Sequence, residues 1–323
     1  MLIDTFGRKF NYLRLSITDV CNFRCNYCLP DGYDCDQERN FLTLNEIETL
    51  VTAFAQLGIK KIRITGGEPG LRKDLTDIIS LCSQTPGIEK VALTTNGFNL
   101  ARNATAWKAA GLNAINVSAD SLDPRMFSAI TGNQNLTDIL HGVDVAQEAG
   151  IESLKLNAVL LKQFNYSQLQ DYLDWIKDRN LTIRFIELMK TGDNQSFFRQ
   201  NHVSGQEIKS LLLQQGWQQK LKHKLDGPAQ EFFHPNSTGR IGLIMPYGKD
   251  FCDTCNRLRM SAIGKLHLCL FAEAGNNIRP WLTASDVEGC KQIIIDTLFD
   301  KKVAHQLQQG FVGGTKHLAM LGG

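Results

Sequence analysis

Three thiols lie within eight residues, at Cys21, Cys25 and Cys28, with C-x3-C-x2-C spacing just after an apolar, strand-like run. Soft thiolates packed this closely suit a metal or iron–sulfur site better than a disulfide framework. Their number carries the chemistry. A structural zinc or an ordinary four-iron cluster takes four protein ligands, so three leave one metal position open to a reactant. The expectation is an iron–sulfur cubane with one bare iron. The alternative is a zinc loop completed by a histidine or by Cys35.

A second trio, Cys252, Cys255 and Cys269, follows far downstream and brackets Arg257 and Arg259. On a strand these arginines project to one side, which suits a phosphate or carboxylate clamp. His267 lies close enough in sequence to complete a tetrahedral zinc site, and spacing alone leaves zinc and cluster both open. Gly66-Gly67-Glu68-Pro69 directly follows another strand-like run. Glycines at the C-terminal end of a parallel strand let a ligand come close to backbone amides.

The elements that must position these groups alternate regularly as far as residue 187. Strands are expected at Tyr12–Thr18, Lys61–Thr65, Lys90–Thr94, Ala114–Ser118, Leu154–Leu160 and Thr182–Leu188. Helical patterns fall near 43–57, 74–84, 102–110, 135–149 and 166–179. Thr43 with Glu46 reads as a capping box, and Asp74 with Asp77 as a weaker one. Gly58 and Gly150 end their helices. Six strands separated by helices make a parallel sheet.

Strands covered on both faces should be apolar throughout, yet these alternate. Arg14, Arg63, Ser118, Lys155 and Arg184 share one face and the aliphatics the other. The polar set is expected to line a wet, basic cavity. The fold class is therefore α/β: an incomplete, open, six-stranded TIM-type β/α barrel over 1–190. A smaller C-terminal α+β region, 191–323, closes its open side. Residues 190–250 read as mostly irregular, with one helix near 204–216. Asn256–Ala262 and Lys265–Phe271 form a hairpin about Ile263-Gly264, and a last helix spans roughly 284–309.

Composition narrows the function. With 43% hydrophobic and 21% charged residues among 323, the chain has the profile of a soluble globular protein. A formal net charge of +2 argues against a general nucleic-acid or membrane-surface binder. No apolar run approaches a membrane span, and no signal-like start is visible, so a cytoplasmic setting with reduced thiols is expected.

Cys21, Cys25, Tyr27 and Cys28 resemble the cluster motif of radical S-adenosylmethionine (SAM) enzymes, where an aromatic precedes the last cysteine. Gly66–Pro69 resembles that superfamily's segment for the methionyl part of SAM. Nearly the whole chain resembles the GTP 3′,8-cyclase family of molybdenum cofactor biosynthesis. The likeness runs through Leu13–Pro30, Arg63–Pro69, Thr94-Thr95-Asn96-Gly97, Phe251–Arg259, Gly264–Phe271 and the terminal Gly-Gly. Val20, Leu29 and Gly70 depart from the family pattern without removing a cluster ligand.

The resemblance implies two [4Fe-4S] clusters, on Cys21, Cys25 and Cys28 and on Cys252, Cys255 and Cys269. It implies SAM contacts from Tyr27, Gly67, Ser118 and Met189, and GTP contacts from Arg14, Arg63, Thr94, Lys155, Arg257 and Arg259. A radical from SAM would take hydrogen from C3′ of GTP, and C3′ would then bond to C8, giving 3′,8-cyclo-7,8-dihydro-GTP. The tail, Gly322 and Gly323, would assist catalysis. Implied partners are an external electron donor and a downstream cyclic pyranopterin monophosphate synthase, with no nucleic acid or membrane and a monomer or homodimer as the assembly.

Two rivals stand beside this. One is a peptide-modifying radical SAM enzyme with an auxiliary cluster. The other is a non-enzymatic zinc or iron–sulfur nucleotide-binding protein, against which the near-neutral charge counts. Cys82 and Cys290 sit among aliphatics and read as buried structural cysteines, and Cys35 as an exposed bystander.

Overall fold

The computed structural model describes residues 1–33, 40–221, 227–314 and 318–322; Cys35 and Gly323 lie outside them. A short antiparallel pair, β1 (Leu2–Ile3) and β2 (Lys9–Phe10), opens the chain. Then come β3 (Tyr12–Ser16), β4 (Lys61–Thr65), β5 (Lys90–Thr95), β6 (Ala114–Ser118), β7 (Ser153–Leu160) and β8 (Thr182–Glu187). These six lie side by side in chain order, all parallel. Between them run α1 (Leu44–Gln56), α2 (Leu75–Gln84), α3 (Leu100–Ala109), α4 (Pro124–Thr131), α5 (Leu136–Glu148) and α6 (Leu169–Ile176).

The alternation in the strands is what divides the molecule into layers. Leu13, Leu15, Ile62, Ile64, Leu93, Ile115 and Ile183 are buried against helix residues such as Ile47, Phe54 and Ile78. Each such side chain contributes about 1.5–3 kcal/mol on burial. The opposite, polar face is thereby turned inward, as alternation predicts.

The remaining elements are α7 (Gln195–Asn201), α8 (Gly205–Gln214), β9 (Gln218–Gln219), β10 (Gln230–Phe233), β11 (Arg240–Ile244), β12 (Arg257–Met260), β13 (Lys265–His267), β14 (Asn276–Asn277), α9 (Arg279–Thr283) and α10 (Val287–Leu298). Here the structure corrects the irregular reading of 190–250. β11 joins β8 in parallel, and β10 and β9 extend that edge antiparallel. At the other edge β12 joins β3 in parallel, followed by β13 and β14. Both edges of the six-stranded sheet are thus covered by the C-terminal region, which leaves no long bare edge there. Gly242 in the middle of β11 hides the strand pattern. It stands opposite Arg184, where a Cβ would press on that side chain.

Other expectations move for local reasons. α4 was not anticipated; Pro124 begins it, and Asp123 caps it by accepting the Arg125 and Met126 N–H groups at 2.8 and 2.9 Å. The long last helix stops at Leu298, after which Lys301 turns inward and donates to the Leu268 carbonyl. The helix expected at 166–179 is a 3₁₀ turn, Tyr166–Gln168, leading into α6. Asp74 makes no capping bond and instead takes Arg72 Nε and Nη2 at 2.7 and 2.9 Å. The Thr43–Glu46 capping box forms as expected. Cys82 and Cys290 are buried.

Candidate active site

Strand register arranges the cations of the polar face in rows. Arg259, Arg14 and Arg63 stand opposite one another across β12, β3 and β4. One pleat below, Arg257, Tyr12 and Lys61 form a second row. Neighbouring strands lie about 4.8 Å apart, so these charges crowd together. With Arg184 from β8 they line a cavity of about 1140 Å³, its mouth included, which also takes in Thr94, Asn116, Asn157, Met189, Phe251 and the second cysteine trio. Among the described residues, its lining carries no Asp or Glu.

Among the buried atoms of this lining, Arg184 Nε, Asn116 Oδ1, Asn157 Oδ1 and His305 Nε2 have no hydrogen-bond partner. Buried polar groups are nearly always satisfied, so the Arg184 donor and the two amide acceptors left over here point to a polar ligand that both accepts and donates, and the six cations favour one carrying negative charge. Arg63 is anchored meanwhile by the Tyr12 hydroxyl at 2.6 Å, the Leu93 carbonyl at 3.1 Å and Thr94 Oγ1 at 3.3 Å. Lys155 shares the polar face but pairs with Glu231 of β10 at 3.1 Å. Burial, with Arg184 nearby, lowers Lys155 to about 8, against the opposing pull of Glu231.

The first trio sits beyond the C-terminal end of β3, with Cys21 and Cys25 packed against the core. The three thiols lie within one another's electrostatic reach, and burial pushes Cys21 up to about 11 and Cys28 up to about 12. Ligation must therefore displace protons. Backbone N–H groups of Phe23 and Asn22 reach Cys21, and those of Ala319 and Leu318 reach Cys28. Tyr27 donates to Asp120 Oδ2 at 2.9 Å, and Asp120 Oδ1 accepts the Val159 N–H at 2.8 Å, which ties the cysteine loop to β7.

Gly66 and Gly67 serve the chain's own backbone. The Gly67 N–H donates to the Thr18 carbonyl at 2.9 Å and the Glu68 N–H to Val20 at 2.7 Å; a Cβ on either glycine would strike those carbonyls. The Gly67 and Glu68 amides are thus engaged with the loop that follows β3. Glu68 is fully buried and accepts from Gly70 N–H, the Thr95 hydroxyl and Asn96 N–H at 2.7, 2.8 and 2.6 Å. Burial nevertheless raises it to about 7. Asn96 passes the link on to Asn22 at 2.8 Å. Ser118 ends β6 opposite Asn157.

In the second trio burial would raise Cys255, but Lys301 and Arg257 beside it outweigh burial and hold it below the ordinary thiol range. Arg8 donates to the Cys252 carbonyl at 3.2 Å. His267, the fourth ligand of the zinc alternative, lies against Gly275. Among the described residues no three Cys, His, Asp or Glu side chains close around a single ion. Two trios of soft thiolates, with no fourth protein donor beside them among the described residues, fit four-iron clusters with one open iron.

The two trios share an apolar cluster. Leu270, Phe271, Leu307, Leu318 and Leu321 form it, with Tyr27, Cys28, Met189 and Cys269 packed on its surface. Gly322 then enters the cavity and accepts from Arg14 and, at 3.4 Å, from Arg259.

The structure therefore brings Arg14, Arg63, Thr94, Arg257, Arg259, Met189, Gly322 and the second trio together, while Lys155 is held aside by Glu231. Tyr12, Lys61, Asn116 and Asn157 belong to the site as well and were not singled out from the sequence. Their signal was the same alternation, read one pleat further along each strand. Glu231 and Lys301 gave none, because long-range folding alone places them.

Two family models match, the Radical SAM superfamily over residues 15–176 and Molybdenum Cofactor Synthesis C over 181–307. A GTP 3′,8-cyclase of Psychromonas ingrahamii is 56% identical over 323 residues, covering 100% of this chain and 95% of its own. One of Yersinia pestis is 54% identical, covering 100% and 99%. Among solved structures, SAM-bound SuiB of Streptococcus suis superposes with a TM-score of 0.61 at 13% identity, covering 89% of this chain and 68% of its own. The anSMEcpe protein bound to SAM and a peptide gives 0.57 at 13%, covering 90% and 83%. At such identities these two speak for the fold alone. The full-length relatives speak for more, and the chain belongs to the GTP 3′,8-cyclase family of radical SAM enzymes.

Proposed function

We propose that the chain converts GTP to 3′,8-cyclo-7,8-dihydro-GTP, an early step of molybdenum cofactor biosynthesis. It does so with SAM and two [4Fe-4S] clusters, on Cys21, Cys25 and Cys28 and on Cys252, Cys255 and Cys269. The observation that carries this reading is a cavity lined by six cations and, among the described residues, no carboxylate, with the second trio in its wall. When bound and reduced, the N-terminal cluster supplies the electron that cleaves SAM to a 5′-deoxyadenosyl radical.

The rest falls to the chain's own side chains. Arg14, Arg63, Arg257 and Arg259 hold the triphosphate and ribose by charge-assisted hydrogen bonds, and Thr94 supports Arg63. Lys155 joins them by exchanging Glu231 for phosphate. Asn116 and Asn157 accept from sugar or base groups, and Arg184 Nε finds its acceptor there. Tyr27, Gly67, Ser118 and Met189 surround SAM, and the apolar cluster beneath the tail keeps water from the radical. Fixing the ribose against the radical source is worth several kcal/mol of barrier.

Residues 1–190 supply the barrel, and 191–323 supply the second cluster site and the tail. The enzyme works in the cytoplasm as a monomer or homodimer, takes electrons from an external donor and passes its product to a cyclic pyranopterin monophosphate synthase. No described helix is long and apolar enough to cross a membrane. The test is anaerobic incubation of reconstituted protein with SAM, a strong reductant and GTP. Formation of 5′-deoxyadenosine with a cyclised nucleotide is expected. Turnover on a peptide, with none on GTP, contradicts the reading.

A further inference from the structure

Tyr12 stands where a strand of this kind should carry a cation or an amide. It is buried, with Arg257 and Lys61 on either side in register and Arg14 one pleat above on its own strand. Arg63 Nε donates to its oxygen at 2.6 Å, and Arg14 hydrogen-bonds to it as well. Lys61 Nζ lies 4.7 Å from the centre of its ring. Arg259 flanks Arg14 on β12, and Arg184 interacts electrostatically with Tyr12 from β8. Among the described residues, no carboxylate lines this cavity. Glu231 of β10 acts on Arg184 from outside the lining, where it pairs with Lys155, so among the described lining residues the phenol is the one oxygen acid.

We infer that Tyr12 is a positioning residue: in the GTP-free protein its phenolate holds Arg63 and Arg14 in place, and the triphosphate takes over that role. The phenolate then takes one proton from solvent for each GTP bound, and no other bond is made or broken. This rests on the reading of the cavity as the GTP site. Burial opposes ionisation, yet Arg63, Arg14 and Lys61 outweigh it and bring the hydroxyl down to about 6. Above that pH the empty site holds phenolate. Phosphate oxygens entering the rows cancel the field that stabilises it, so the phenol recovers its proton.

The test is calorimetry of GTP binding to oxidised, cluster-loaded protein without reductant, at pH 7.5 in buffers of differing ionisation enthalpy. Wild type should take up about one proton more per GTP than Tyr12→Phe. The ratio of wild-type to variant affinity should also fall about tenfold from pH 7 to pH 8. Equal proton counts with GTP bound by both proteins overturn the inference and leave the GTP reading standing. Wild type that binds no GTP overturns the GTP reading, and this inference with it. If Tyr12→Phe does not assemble, wild type with ¹³Cζ-labelled tyrosine serves. One of its six tyrosines should resonate as phenolate at pH 7.5 and move to the phenol position with GTP. Six phenol resonances without GTP overturn the inference.

Discussion

Arg259 Nη1 donates to the carbonyl of Leu321 at 3.1 Å, so the end of the chain closes over the row of cations that begins on β12. Gly322 follows with a φ of +59° and its Cα against Thr65. A Cβ there meets the Thr65 side chain, in a backbone region that costs other residues about 1–2 kcal/mol. Gly322→Ala should displace the tail and lower turnover at least tenfold with the iron content unchanged. Product formation and iron analysis on one preparation check this, and full activity would refute it.

The two thiol trios should load independently. Wild type should carry about eight irons, and alanine at Cys21 or at Cys252 should remove about four. Cys21→Ala should also abolish SAM cleavage. Iron and sulfide assays read the first effect and 5′-deoxyadenosine the second. Stoichiometric zinc in place of iron would contradict the assignment.

Arg257 and Arg259 line the cavity beside the second trio. Charge-assisted hydrogen bonds contribute about 1.5–3 kcal/mol each, so Arg257→Ala and Arg259→Ala should each weaken GTP binding roughly ten- to a hundredfold. Reductive SAM cleavage should persist in both. Unchanged GTP affinity in the two variants would remove them from the clamp.

Glu46 joins the first helix to the C-terminal region. Its carboxylate takes Arg279 Nε at 2.8 Å, Arg279 Nη2 at 3.0 Å and the Thr283 hydroxyl at 2.8 Å. Burial works against ionisation, but Arg279 and the Thr43 N–H hold the carboxyl at about 2. Its folded pKa is thus depressed below the unfolded value of 4.5. The stability it gives is complete above pH 4.5 and is lost as pH falls through 2. Glu46→Ala should lower the unfolding free energy at pH 7 by about 2–4 kcal/mol, since it strands a half-buried guanidinium. Urea unfolding of the cluster-loaded protein measures this; a loss below about 0.5 kcal/mol would contradict it.

What was legible in the sequence is what local pattern determines. Cysteine spacing and strand alternation point to the cluster sites and the inward cations, because both periods are set by covalent geometry. β11 was hidden because Gly242 interrupts its apolar run, and the reason for that glycine, Arg184, lies 58 positions earlier in the chain. Lys301 reads as one more helix lysine until the fold shows it buried beside the second trio. Tyr12 reads as a common strand residue, and register alone surrounds it with charge. Gly67 has a structural use that local pattern did not reveal, since it also lets the backbone of Thr18–Val20 come close.

The central claim is that a radical drawn from SAM takes hydrogen from C3′ of a GTP held in this cavity. GTP deuterated at C3′, incubated anaerobically with the protein, SAM and reductant, tests it most directly by mass spectrometry. The account predicts one deuterium in 5′-deoxyadenosine, formed in step with the cyclised nucleotide. Cyclised nucleotide accompanied by unlabelled 5′-deoxyadenosine would contradict it.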